Sequence, residues 1–252
     1  MRFPLFIPSL VLSLFAAEPG MVFIPGGEFP RGRNYSLPDD GLKWVPYLVK
    51  DDRPVRPIAL APYYLDEHEV TNAEYAKFVR ATKHRPPYNW PKGEVPAGKE
   101  EVPVVDISWE DAVAFARWAG KRLPTEAEWE RACRGLSASA MYPWGDAKAD
   151  KKLARFDAID GPAPVCQFPK NSLGLCDMAG NVWEWVSDWY EREYYANAPA
   201  KDPSGPGSGM YRVLRGGSWA DEEKYLRCAY RSWARPAERS PNIGFRCAKS
   251  FR

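Results

Sequence analysis

Residues 215–247 read RGGSWADEEKYLRCAYRSWARPAERSPNIGFRC; the two ends of this stretch bear on the fold and its middle bears on the chemistry. Arg215–Trp219 and Gly244–Cys247 are its motif phrases. Between them, Ala220–Arg227 (ADEEKYLR) holds three carboxylates and no cysteine. Asp221, Glu222 and Glu223 are hard oxygen ligands. Clustered carboxylates can raise one another's pKa and yield a general base, but a charge run of this kind is ordinarily a solvated face.

Outward from this stretch, composition sets the bounds. The 252 residues fit one large or two small domains, and 25 Pro, 19 Gly and 11 Trp predict frequent loops held by buried Trp and Tyr. A net charge of +2, with Lys and Arg spread along the chain, gives no field that gathers nucleic acid or anionic membrane. Met1 and Arg2 followed by an apolar run to Ala17 predict a signal peptide over residues 1–17, too short for a membrane span. The expected setting is therefore bacterial, secreted or periplasmic, where disulfides persist and five cysteines leave one thiol over. With only His68 and His84 as imidazoles, a multi-histidine zinc or iron centre is not expected.

Three helix starts share one device, a capping hydroxyl followed three positions later by an acid: Thr71 with Glu74, Ser108 with Asp111, Thr125 with Glu128. Val70 is placed to staple onto Tyr75, and Gly120 suits the end of the second helix. Met21–Phe29 reads as two short strands around Pro25-Gly26-Gly27. Residues 30–56 and 85–103 read as loops, and 198–210 as a long surface loop.

Several phrases occur in order: Met21-Val-Phe-Ile-Pro-Gly-Gly27, Glu69-Val-Thr-Asn72, Val105–Trp109, Lys121-Arg-Leu-Pro-Thr-Glu-Ala-Glu-Trp-Glu130 and Tyr142-Pro-Trp-Gly145. They continue with Gly174-Leu-Cys-Asp-Met-Ala-Gly-Asn-Val-Trp-Glu-Trp185, Arg215–Trp219 and Gly244–Cys247. Together they resemble the sulfatase-modifying-factor family, whose founding members are formylglycine-generating enzymes. The resemblance implies an α+β fold related to C-type lectins: a single domain over residues 18–252 with sparse secondary structure and long loops.

It also implies site residues. The family places a structural calcium on a loop matching Asp177, Gly180, Val182 and Glu184, two carboxylates and two carbonyls of the hard-oxygen kind that Ca²⁺ takes. The alternative is that Glu184 satisfies buried donors. At the family's second calcium the matching position is Arg155, which cannot ligate a cation, although Asp157 and Asp160 stand nearby. Cys133 and Cys228 match a family disulfide. Cys247 matches a second whose partner position is Ala116, so it is expected to be unpaired. Cys166 and Cys176 form a further candidate pair peculiar to this chain. Family enzymes bind Cu(I) through two thiolates after the Gly-Gly-Ser phrase and oxidise a substrate cysteine to an aldehyde with oxygen; here those thiolates are absent and copper is not expected.

Two functions follow as expectations. In the first, the domain is an exported, calcium-stabilised binding or accessory protein that does not generate formylglycine. Its unknown protein or small-molecule ligand meets Ser218, Trp219, Asp221, Tyr225, Trp233 and Arg235, the place where the family's hypervariable binding proteins diversify. In the second it is an oxidase or maturation enzyme with an altered active site, whose catalytic residues the sequence leaves unknown. A monomer is expected, with no nucleic acid partner. His68 reads as a polar neighbour and His84 as surface.

Overall fold

A computed structural model describes residues 18–36 and 51–251. The signal-peptide reading of residues 1–17, and the loop reading of 37–50, lie outside the described residues. Among the described residues no helix is long and apolar enough to cross a membrane.

All three capping signals are realised. In α1 (Asn72–Thr82), α2 (Trp109–Trp118) and α3 (Glu126–Arg134) the hydroxyl of Thr71, Ser108 or Thr125 accepts the N–H of the residue three positions on, while the side chain of that residue, Glu74, Asp111 or Glu128, reaches back to the cap. Each such cap contributes about 1 kcal/mol, enough to fix where a nine- to eleven-residue helix begins. Gly120 stands just past Ala119, the C-cap of α2, with φ +69°, as its place in the sequence predicts.

The strands are short and sort into three sheets. One joins β1 (Met21–Ile24), β4 (Tyr63–Asp66) and β9 (Ala248–Ser250); a second pairs β2 (Gly27–Arg31) with β3 (Arg56–Leu60). The strands flanking Pro25-Gly26-Gly27 exist as expected, but they do not pair with each other: the turn passes the chain from one sheet to the next. The third sheet runs β7 (Ser232–Ala234), β6 (Arg212–Arg215), β5 (Trp183–Trp189), β8 (Ile243–Gly244), with only β5 and β8 parallel. A short α4 (Tyr194–Asn197) follows β5.

Aromatic packing joins these pieces. Trp129 of α3 and Trp185 of β5 are fully buried, and Tyr75, Phe78, Trp90, Phe115 and Phe245 form a ring cluster between α1, α2 and β8. Val70 and Tyr75, the expected staple pair, belong to that core. Residues 198–210 lie mostly exposed, tied to the β2–β3 sheet by Asp202, which accepts the Ala61 N–H at 2.7 Å.

Beneath α3 lies a buried ionic lattice. Glu126 and Glu130, one turn apart and both 0 % exposed, meet the guanidinium groups of Arg31, Arg134, Arg215 and Arg231. Arg215 also donates to the carbonyls of Cys228, Ala229 and Tyr230, so the arginine of the Arg215–Trp219 phrase pins the segment that carries Cys228.

Candidate functional site

The Arg215–Trp219 phrase leaves β6 through Gly216 and Gly217, both at positive φ. A Cβ on Gly217 would stand 2.9 Å from Leu226 Cδ2 and 3.1 Å from the Tyr225 carbonyl, so only glycine lets the 220–227 segment fold this close. Ser218 follows, fully buried. Its hydroxyl donates to Asp221 Oδ2 and accepts from Asn242 Nδ2 and the Ala220 N–H, each at 3.3 Å. The Ser218–Asp221 pair is thereby a closed knot that holds the loop. A buried hydroxyl so committed positions backbone.

Beside this knot a groove of about 430 Å³ opens along β6, β7 and β8. Trp183, Tyr211, Trp233, Arg235, Glu238 and Asn242 give it aromatic walls with one guanidinium and one carboxylate. Of the six expected ligand residues, Trp233 and Arg235 line it; Ser218, Trp219, Asp221 and Tyr225 do not. They act one layer behind. Tyr225 packs on Trp183 at 6.3 Å and Tyr230 at 5.0 Å between centroids, the Trp219 indole donates to the Pro241 carbonyl, and Ser218 receives the wall residue Asn242. Trp233 is held by stacking on Tyr190 at 4.4 Å. Glu222 and Lys224 are exposed and paired with each other, the solvated face that the charge run suggests.

A second assembly gathers Asp177, Glu184, Glu69 and Arg246, all buried. Glu184 accepts a fork from Arg246 Nε and Nη2 at 2.8 Å and the Trp129 indole N–H at 2.8 Å, so three of the quoted phrases converge on one carboxylate. Asp177 accepts the Cys166 N–H at 2.7 Å; Glu69 accepts from Asn181 at 3.1 Å, while its Oε2 has no partner. Burial, reinforced by the Asp177 and Glu184 charges and eased by Arg246, pushes Glu69 well above its ordinary carboxylate value. Burial does the same to Asp177. Three carboxylates thus face one guanidinium, with His68 a weaker attraction. An orphaned carboxylate oxygen and excess buried negative charge fit a hard cation; Gly180 is required too, because a Cβ there would lie 2.3 Å from the Arg155 carbonyl. In the neighbouring loop Arg155 pairs with Asp160 and Lys151 with Asp157, so the two acids named there as possible ligands are already matched by cations.

Comparison with known proteins covers nearly the whole chain. The model of the sulfatase-modifying factor enzyme 1-like domain matches residues 13–251. The chain belongs to that family. It is 39 % identical over 288 residues to the formylglycine-generating enzyme of Streptomyces coelicolor, covering 91 % of this chain and 88 % of the relative. It is 32 % identical over 292 residues to a mouse protein named inactive C-alpha-formylglycine-generating enzyme 2, covering 93 % and 87 %. Among solved structures, PvdO from Pseudomonas aeruginosa superposes with a TM-score of 0.75 at 28 % identity, over 92 % of this chain and 94 % of that one.

Within this family member the cysteines are accounted for. Cys133–Cys228 and Cys166–Cys176 are disulfides, with Cα separations of 5.6 and 5.0 Å, as the sequence reading expects. Cys247 is the free thiol. It is fully buried, and burial together with the Asp66 charge pushes its pKa far up, so it stays protonated and inert. Glu67 lies near the Cys166 and Cys176 sulfurs, but both are spent in the bridge.

The sequence reading missed Trp183, Tyr211, Glu238 and Asn242 in the groove and Glu69 and Arg246 in the carboxylate assembly. Trp183 and Asn242 carried a signal, since one lies inside a quoted phrase and the other two residues before one; Tyr211 and Glu238 carried none. His84, read as surface, is part of the fold: its Nε2 lies 2.8 Å from Asp111 Oδ1 and its ring packs on Phe78. The reason is that Asp111 caps α2 with one oxygen and leaves the other for His84.

Proposed function

We propose that this family member is an exported, calcium-stabilised binding or accessory protein that recognises a protein or small-molecule ligand through the Trp183–Trp233–Arg235 groove and does not generate formylglycine. One observation carries the reading. The position where thiolates would act holds the Ser218–Asp221 knot, and the remaining cysteines are two bridges and one buried thiol. Aromatic walls beside Arg235 supply the residue types that dominate recognition surfaces. Two disulfides agree with an oxidising compartment. The calcium would be held by the Asp177 and Glu184 carboxylates with the Gly180 and Val182 carbonyls, Glu69 supplying charge beside them, and would serve stability.

The second reading, a divergent oxidase or maturation enzyme, draws its support from the 39 % identity to the Streptomyces coelicolor enzyme over nearly its whole length. Incubating the purified protein with a Cys-x-Pro-x-Arg peptide, Cu(I) and oxygen tests formylglycine generation, and metal analysis with oxygen consumption on candidate substrates tests the second reading. Mass spectrometry is expected to show the peptide thiol intact and oxygen unconsumed; conversion of the cysteine to the aldehyde would overturn the proposal.

A further inference from the structure

A second cavity, of about 330 Å³, is walled by α2, by the connection from α2 to α3 and by β5 and β6. Its apolar floor is Val113, Ala116 and Leu123, and its rim carries Arg117, Lys121, Arg122 and Arg212. Two of these cations are already neutralised: Lys121 by Asp66 at 2.6 Å and Arg122 by Glu128 at 2.7 Å. Arg117 is exposed, and neither it nor Arg212 has an ion-pair partner among the described residues.

Arg212 is held in an uncommon way. Its guanidinium lies between two indoles, 3.6 Å from the Trp109 ring centroid and 3.4 Å from that of Trp189, and donates to the Ser187 carbonyl at 2.6 Å. Stacking fixes the plane of the fork while leaving donor edges unspent, since a guanidinium has five N–H groups. The acids whose charges reach it are Asp188 and Glu110. Asp188 is buried and held near 7 by burial and the Glu126 charge, and Glu110 is exposed to solvent, so neither cancels the cation firmly. An immobilised, uncompensated guanidinium beside an apolar floor is complementary to a carboxylate on an apolar body.

We propose that this cavity is a second ligand site, distinct from the groove, that binds a small amphiphilic carboxylate: the anionic head at Arg212 and Arg117, the aromatic or aliphatic body against Val113, Ala116 and Leu123. The site is independent of what the groove recognises.

The test titrates the full chain with 4-phenylbutyrate and with its uncharged counterpart 4-phenylbutanamide, followed by calorimetry and by Trp fluorescence. The acid is expected to bind at least about tenfold more tightly than the amide, and added salt to weaken the acid alone. Arg117→Glu, on an exposed residue, is expected to abolish the preference, as is Arg212→Gln, each where circular dichroism shows the variant folded. Arg235→Ala, in the groove, leaves it unchanged. Equal binding of acid and amide, a preference that survives Arg117→Glu, or one that disappears with Arg235→Ala would each overturn the proposal.

Discussion

Two buried ionic assemblies stand on either side of Trp129, and they differ in one respect. Under α3, Glu126 and Glu130 face four guanidinium groups, and burial, which alone would raise Glu130, is outweighed by Arg134, Arg215 and Arg31, so its pKa falls to about 2. Around Glu184, three carboxylates face Arg246, and burial keeps Glu69 and Asp177 above their ordinary values. The protein supplies its own counter-charge in the first assembly and falls short of it in the second. A self-sufficient lattice loses stability when one partner is removed, whereas the shortfall is where the proposed cation would add counter-charge. The comparison therefore predicts opposite signs for removing a charge on the two sides.

The largest effect belongs to the balanced side. Arg215→Met leaves Glu126 and Glu130 short of a partner and strips donors from three carbonyls, and is expected to cost about 3–5 kcal/mol, read as a lowered urea midpoint. The same lattice governs acid stability. Because the folded pKa of Glu130 lies below its unfolded value, its contribution is present above about pH 4.5 and is lost as pH falls toward 2. A midpoint unmoved by Arg215→Met would break the comparison at once.

On the unbalanced side, calcium at a hundredfold excess over its dissociation constant is expected to add about 2.7 kcal/mol, an upward shift in Tm that a chelator reverses. Glu69→Gln is expected to stabilise the calcium-free protein at pH 8 and to diminish the calcium response. The sign follows from a folded pKa raised above the unfolded one: this carboxylate costs stability as pH rises above about 4.5. Loss of stability in Glu69→Gln without calcium, or a Tm indifferent to calcium, would show that the two assemblies are alike.

These contrasts also explain what could be read from the chain. Caps were legible because a capping box needs only residues three apart, and the Cys133–Cys228 bridge was legible through the family resemblance. The loop proposed for calcium is one contiguous phrase, Asp177–Glu184, and was named through the family resemblance. Glu69 and Arg246 were not, because they reach that loop from |i−j| of 112 and 62, and no local pattern announces a contact of that range. The groove divided for a similar reason. Trp233 and Arg235 project from β7 and the turn after it, while Ser218 and Asp221, close by in the chain, turn inward where Gly217 lets the loop collapse.

The smallest effect lies at Asp188, the exception within the balanced side. Its Oδ2 accepts the Glu126 N–H at 2.9 Å and the Ser187 hydroxyl at 3.0 Å, but Oδ1 is buried without a partner. Burial and the Glu126 charge raise its pKa to about 7, with Arg31 opposing. The folded value again exceeds the unfolded one, so this group erodes stability as pH climbs from about 4 through 7. Asp188→Asn keeps an acceptor for Glu126 and removes the titration; it is expected to gain on the order of 1 kcal/mol at pH 8 and nothing at pH 4, measured by urea unfolding at both. A loss at pH 8 would mean that Asp188 is ionised and held by Arg31. The counter-charge supplied under α3 would then reach every carboxylate it touches, and the contrast with the Glu184 side would be wider than the orphaned oxygen suggests.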